Sequence, residues 1–410
     1  MSKKTKKSLN KKEFKERKEK KLSKQQLTVI ITIVAFVFVI TAASITTAII
    51  KKRINDRTVH IAFYGLPQEI CKMIEEKIPE EEKVILQFDV LSEKGFDAAL
   101  VKEKYDMLFT WRGELTDYLS ESSEDIPQRI LENIPNSLRN KKCIPILLDH
   151  CEFAFRTELV KKISSTVPLS YRDFNEYLND SKKYAFSPFF CNGAEDRTLV
   201  DFVGAMVQAR GGLAAYNKLI TEMRKAEGLD DVIDTDLGGT SLRQILDMLK
   251  EWPKNGLAHP AWFNGRGNDL LYFVEDGQVS VFFNLLSQHR TIPYNIIRNY
   301  EASFIPTDVS PNNYGIIAPA ISAMLISDNS NCKRYLAKFF TEEVQEELSN
   351  KTMLAPVHYR AQAYDRQADD VRFWTASCAG GAIPDLYLAV YQRNTAALEK
   401  MAADIRLYVR

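Results

Sequence analysis

Signatures of metal and covalent chemistry are missing from this 410-residue chain. Its six cysteines (Cys71, Cys143, Cys151, Cys191, Cys332, Cys378) form no Cys-x-x-Cys pair and none of the paired spacings of a zinc site. Its five histidines (His60, His150, His259, His289, His358) are scattered, and no two have the helical spacing of a zinc protease. There is no phosphate-binding loop and no Gly-x-Ser-x-Gly elbow, and Gly265-Arg266-Gly267 lacks the third glycine of a dinucleotide fingerprint. Carboxylate pairs such as Asp180 and Glu195 carry little weight among 54 acidic residues. No metal, cofactor or catalytic residue is expected. An enzyme survives only as a glycan hydrolase whose groups converge from distant loops. Internal repeats are absent too, and low complexity is confined to a basic N-terminal tail.

Charge is missing altogether from one stretch. Leu27–Ile50 runs 24 residues without a charged residue, Gly or Pro. As a helix rising about 1.5 Å per residue it would span roughly 36 Å, enough for a hydrocarbon core of about 30 Å. Residues 1–26 hold twelve Lys/Arg against Glu13, Glu16 and Glu19, whereas the far flank has only Lys51, Lys52, Arg53 and then Arg57. The positive-inside bias keeps that tail in the cytoplasm and sends residues 51–410 across the cytoplasmic membrane. Thr41-Ala42-Ala43 and Thr46-Thr47-Ala48 offer small residues for cleavage. The long basic region and long apolar run instead fit an uncleaved, single-pass signal anchor. No Cys follows directly, so lipid attachment there is excluded.

The first 53 residues contain 15 basic and 3 acidic side chains, so the other 357 hold 40 basic against 51 acidic, a net −11. A domain of that sign has no general pull on nucleic acid. It is also large enough to build its own core, which makes disulfides optional; Cys143 and Cys151 are close enough in sequence to close a short loop.

After the anchor the pattern turns βα. Thr58–Tyr64 reads as a strand and Gly65-Leu66-Pro67 as a turn; Gln68–Ile78 reads as a helix with Ile70, Cys71, Ile74 and Ile78 on one stripe. Strands at Val84–Leu91 and Tyr105–Trp111, with a short helix at Phe96–Lys102 between them, predict a mostly parallel sheet. Cys143–Leu148 is a further apolar run. Leu199–Arg210 and Ser241–Trp252 are the strongest amphipathic helices, Val279–Asn284 and Ile321–Ile326 read as strands, and Asn331–Ser349, Pro384–Tyr391 and Thr395–Tyr408 as helices.

Aromatic, amide and charged residues cluster where strands end. Tyr64 closes the first strand, with Gln68 just beyond; Trp111 and Arg112 close the third; Asp149 ends the run CIPILL. Phe190 and Asn192 follow Pro188, Trp262 and Asn264 share a turn-rich loop, and Asn284 ends VSVFF. In open α/β sheets ligands bind beyond the carboxyl ends of the strands. Flat rings there cover the apolar faces of sugars, while amides, carboxylates and Arg bond the hydroxyls. Core packing is the competing reading for each aromatic taken singly.

Several stretches resemble the extracellular solute-binding proteins of bacterial ABC importers, in the family that includes maltose-binding protein. TVHIAFYGLPQEI is similar to the opening strand and loop, YDMLFTWRGELTDYL to the strand that leads into the cleft, and IPILLDHCEFAFRTELVKK to the hinge strand. VPLSYRDFNEYL resembles a Pro-x-Thr-Trp-x-Glu helix start, and FVEDGQVSVFFNLLS a Phe-x-x-Gly-Lys-x-Ala-Met strand. The best match is YGIIAPAISAMLISDNSNCKRYLAKFFTEEVQEELSNKTMLAP, which resembles the returning strand, the following helix and a Leu-Pro turn. The resemblance covers about 350 residues.

It implies an α/β, two-lobed, type II periplasmic-binding fold after the anchor. The first segment of the N-lobe would be 58–150, the C-lobe 151–296, the N-lobe return 297–350, and C-terminal helices in 351–410 would complete the C-lobe. It also implicates Trp111, Arg112, Asp149, Phe190, Asn192 and Tyr387 in ligand contact. The family's Asn-Gly-Pro-Trp is here Asn284-Leu285-Leu286-Ser287, so one stacking platform is missing. The expectation is an anchored, extracytoplasmic binding protein that hands a small solute, a sugar or oligosaccharide, to ABC permease subunits. A sensor or scaffold of the same fold and a surface glycan hydrolase are the alternatives.

Overall fold

The computed structural model describes residues 57–92 and 96–410 throughout and, before them, Gln25 and residues 28–29, 32–33, 36–41 and 46–47. Half of the apolar run Leu27–Ile50 therefore lies outside the described residues. Those of its residues that are described are helical, and Phe36 to Ile40 are each at least half exposed. Among the described residues no helix is long and apolar enough to cross a membrane. Val59–Arg410 forms one compact unit, separate from Met1–Thr58.

Within that unit the strands are β1 Thr58–Tyr64, β2 Ile85–Leu91, β3 Met107–Trp111, β4 Ile144–Leu148, β5 Cys151–Arg156 and β6 Ser187–Cys191, followed by β7 Val279–Leu285, β8 Tyr300–Ser303, β9 Ile316–Ile317, β10 Ala320–Leu325, β11 Ala355–Pro356 and β12 Ala382–Ile383. The N-lobe sheet has the order β11-β4-β10-β3-β1-β2. β1 and β3 pair in parallel, but β10 runs antiparallel to both β3 and β4, so the sheet is mixed rather than mostly parallel. All five residues of β4 are buried, as expected of a strand covered on both faces.

The C-lobe sheet has the order β6-β7-β5-β8, with β6 and β7 parallel and β5 antiparallel to both its neighbours. Its core is aromatic. Phe153 stacks on Phe174 at 5.1 Å, Phe189 stacks on Phe202 at 5.0 Å, and Trp262 meets Phe202 edge-on at 5.4 Å. Each such burial contributes about 1.5–3 kcal/mol. The helix Leu242–Lys254 shows how periodicity becomes packing. Ser241 and Gln244 cap it reciprocally, and Leu242, Ile245, Leu246, Leu249 and Trp252 form its buried stripe.

Four details differ from the sequence reading. β8 joins the C-lobe sheet, so the return to the N-lobe begins after Ser303 rather than at 297. β11 and the helix Arg366–Ser377 still pack with the N-lobe, well past 350. The expected helix Asn331–Ser349 is two helices, Ser330–Lys338 and Glu342–Thr352, because Thr341 caps the second through the Val344 amide. All six cysteines are free; Cys143 packs in the N-lobe and Cys151 in the C-lobe, so no short loop joins them.

The chain passes between the lobes at Asp149-His150, in the stretch 304–319, and again between the helices Arg366–Ser377 and Leu386–Val390. The segment Leu285–Ser287 is bonded to the first crossing: the Leu286 amide donates to the His150 carbonyl (2.9 Å). The Asp149 amide in turn donates to the Pro319 carbonyl (2.7 Å), so Asp149-His150, Leu285–Ser287 and Pro319 are tied together.

Candidate functional site

The pairing directions bring particular strand ends to the seam between the lobes. β1, β3 and β4 end there from the N-lobe, and the carboxyl ends of β6 and β7 lie beside the start of β5 in the C-lobe. This is the side on which α/β sheets hold ligands.

At the hinge, Asp149 is 3% exposed and fully engaged. Its carboxylate accepts from the His150 amide (2.9 Å), the Ser287 amide (3.0 Å) and the Ser287 hydroxyl (2.5 Å). Burial pushes its pKa up, and the Ser287 bonds oppose that shift. Three residues on, Glu152 is completely buried between two imidazoles: His289 Nδ1 lies against Oε1, and His150 Nδ1 lies 3.5 Å from Oε2. Desolvation alone would raise Glu152, but His289 and His150 outweigh it and bring the carboxylate from an ordinary 4.5 to about 2.

The start of the helix Asp196–Met223 adds a second charged group. Arg197 donates from Nη2 to Asp385 (2.6 Å) and from Nε to Asp201 (3.3 Å), and its guanidinium lies 4.9 Å from the ring centroid of Tyr387. Asp201 also accepts from the Tyr387 amide (2.8 Å). Asp201 and Asp385 are buried; Arg197 keeps about a third of its side chain exposed. Burial and the neighbouring Asp385 push Asp201 well up, and Arg197 counters them. Arg197 also draws on Asp149, which places the two charges in one field.

Beyond the ends of β6 and β7 lies a mixed polar cavity of about 260 Å³, lined by Asn192, Glu195, Gly267, Leu270, Asn284 and Gln288 among others. Asn192 is 6% exposed, yet its Oδ1 has no hydrogen-bond partner. A buried acceptor left open costs stability unless something fills the space beside it. A second cavity of about 320 Å³ lies where the chain leaves β8, walled by Phe304, Tyr314, Ile316 and Trp374. It is larger and mostly apolar.

The structure brings Asn192 and Asn284 into one cavity, and links Asp149 to Tyr387 through Arg197. Other expected contacts are not placed that way. Phe190 and Trp262 are core residues at 1% and 0% exposure, because β6 and the Trp262 turn pack inward against Phe273 and Phe202. Tyr64 is 1% exposed, packed on Phe96 at 4.3 Å. Gln68 and Asn264 are exposed outside either cavity. Trp111 is half-buried against the N-lobe core, and Arg112 Nη1 donates to the Ala382 carbonyl (3.0 Å). Sequence reasoning missed Arg197, Gln288 and Trp374. For Arg197 there was a signal, a Glu-Asp-Arg run directly after the loop Cys191–Ala194.

No known family profile matches the sequence, and no curated protein is significantly similar to it. Solved structures do share the architecture. The bacterial solute receptor AcbH, with its exclusive preference for β-D-galactopyranose, matches at TM-score 0.65 and 11% identity over 86% of this chain and 97% of its own. The binding protein MsmE of Bacillus subtilis, in an open conformation, matches at 0.62 and 13% over 86% and 96%. RafE of Streptococcus pneumoniae matches at 0.61 and 13% over 86% and 99%. At these identities the likeness establishes the fold, which is the two-lobed α/β fold of periplasmic binding proteins.

Proposed function

We propose that this chain is a membrane-anchored, extracytoplasmic solute-binding protein that takes a sugar or oligosaccharide between its lobes and delivers it to an ABC permease. The observation that carries the reading is the cavity beyond β6 and β7, where the unpartnered Asn192 Oδ1 and the amide of Asn284 face a space sized for about one sugar ring. Arg197, two residues after the cavity-lining Glu195, is held by Asp201 and Asp385 with its guanidinium against Tyr387. The fold-level likeness to AcbH, to RafE, also seen in complex with raffinose, and to a chitin oligosaccharide binding protein supports the carbohydrate class. Anchoring rests on the composition of Leu27–Ile50 and the basic tail before it.

A thermal-shift screen against neutral mono- and oligosaccharides, amino acids and short peptides tests the proposal. A sugar should raise the melting temperature by several degrees at millimolar concentration, and Asn192→Ala should abolish that shift while the unliganded melt stays cooperative. If no sugar shifts the melt, or Asn192→Ala responds like the parent, the assignment is wrong. A second reading, a sensor or scaffold of this fold that partners a membrane protein without transport, draws support from Asn284-Leu285-Leu286-Ser287, which offers no stacking ring.

A further inference from the structure

The short helix Leu386–Val390 and the last helix, Thr395–Val409, both pack on the C-lobe helix Asp196–Met223. The four residues joining them, Tyr391–Asn394, do something different. Gln392 leaves the C-lobe surface and is buried to 3% exposure against the N-lobe. Its Nε2 donates to the Trp111 carbonyl (2.8 Å) and the Thr110 hydroxyl (3.2 Å), its Oε1 accepts from the Leu115 amide (3.0 Å), and its carbonyl accepts from the Tyr64 hydroxyl (3.3 Å). One residue thus satisfies groups at the ends of β1, through its backbone carbonyl, and of β3 and the start of the helix Glu114–Ser120, through its side chain.

Flanking contacts extend the seal. Arg393 donates to Glu114 (2.6 Å), and Arg224 donates both to Asp117 (2.7 Å) and to the Ala389 carbonyl (2.8 Å). Gly113 sits so close to Leu388 that a Cβ there would come within 2.2 Å of the Leu388 carbonyl oxygen. The contacts join atoms of this chain to each other, so none of them needs a solute to complete it.

We infer that Tyr391–Asn394 is an intramolecular clasp: it holds the two lobes together without ligand, and solute entry waits on its release. The inference rests on the solute-binding reading only for what the clasp regulates; the closure itself is independent of it. Opening about the hinge would strip Gln392 from Trp111, Thr110 and Leu115 together and open the Arg393–Glu114 and Arg224–Asp117 pairs. Closure therefore precedes the solute instead of following from it.

The test uses the full chain in detergent micelles with no solute added. Spin labels at Leu100→Cys on the N-lobe and Lys182→Cys on the C-lobe report the interlobe distance, and hydrogen exchange reports the Leu115 amide. The parent should give one narrow distance distribution and a protected Leu115. Gln392→Ala should lengthen and broaden the distribution and raise Leu115 exchange at least tenfold, with Gln392→Glu, which keeps the acceptor but loses the donor to Trp111, as the milder variant. A parent already broad without solute, or variants that superimpose on it in both measurements, would overturn the clasp. Neither outcome depends on whether a sugar shifts the melt, so failure of the clasp and failure of the proposed function are separable.

Discussion

Glu152 shows how one side chain can tie a hinge to pH. It is buried without exposure, and its carboxylate is held at about 2 by His289 and His150, below an ordinary 4.5. A depressed carboxylate contributes stability that is complete above the unfolded value and lost as pH falls through the folded one. The window therefore runs from about pH 5 down to about pH 2, and the shift corresponds to about 3 kcal/mol. Urea denaturation across that window should show a slope in the parent that Glu152→Gln flattens. Asp149 and Asp201, both raised, act in the opposite sense, so the difference between parent and variant is the quantity that isolates Glu152. Equal slopes in the two proteins would refute the assignment. Trp262 makes a contrasting prediction: with 0% exposure, Trp262→Ala should cost about 3–5 kcal/mol of folding stability, read from denaturant midpoints. Its aromatic character was visible in the sequence. Whether the ring faces a ligand or a core depends on Phe202 and Phe263, brought to it by chain far away or by a local turn, and no local pattern encodes that.

At the scale of elements, what could be read in advance follows from how local the determining physics is. β1 keeps its expected bounds, and the last helix gains one residue, because alternation and capping lie within those segments. The direction of β10 was not legible, since antiparallel pairing with β3 and β4 is set by a chain return from the other lobe. The break at Thr341 had a local cause in a capping threonine after Phe339-Phe340, yet a continuous amphipathic stripe masked it. Of the site, the two asparagines were legible as strand-end amides. Arg197 had a local signal in the Glu-Asp-Arg run, but its pairing with Asp385, 188 positions away, was not legible. The helix Glu114–Ser120 yields a sharp prediction. Gly113→Ala leaves the backbone conformation available but drives a methyl into the Leu388 carbonyl. It should destabilise the fold by about 1–3 kcal/mol, whereas alanine at Gly65, with open space around it, meets no such contact. Chemical denaturation of Gly113→Ala beside the parent checks this; an unchanged midpoint would mean the seam is looser than its contacts imply.

At the scale of the whole molecule, the compact unit Val59–Arg410 follows a basic, then apolar, N-terminal region. If that region anchors the protein, the full chain should sediment with membranes and resist carbonate extraction, and a chain beginning at Arg57 should not. Recovery of the full chain in the soluble fraction would exclude the tether. The six free thiols have a different consequence. Five are buried, and Cys378 is half-buried with its Sγ directed to the Tyr314 carbonyl (2.8 Å). Burial raises the thiol pKa at Cys71, Cys143, Cys151, Cys191, Cys332 and Cys378 alike. With no covalent cross-link to complete, maturation outside the cytoplasm would need no oxidase. Each lobe also carries silent reporters, Cys71 and Cys332 in one and Cys151 and Cys191 in the other. The rate at which an alkylating reagent finds them measures how often each lobe comes apart.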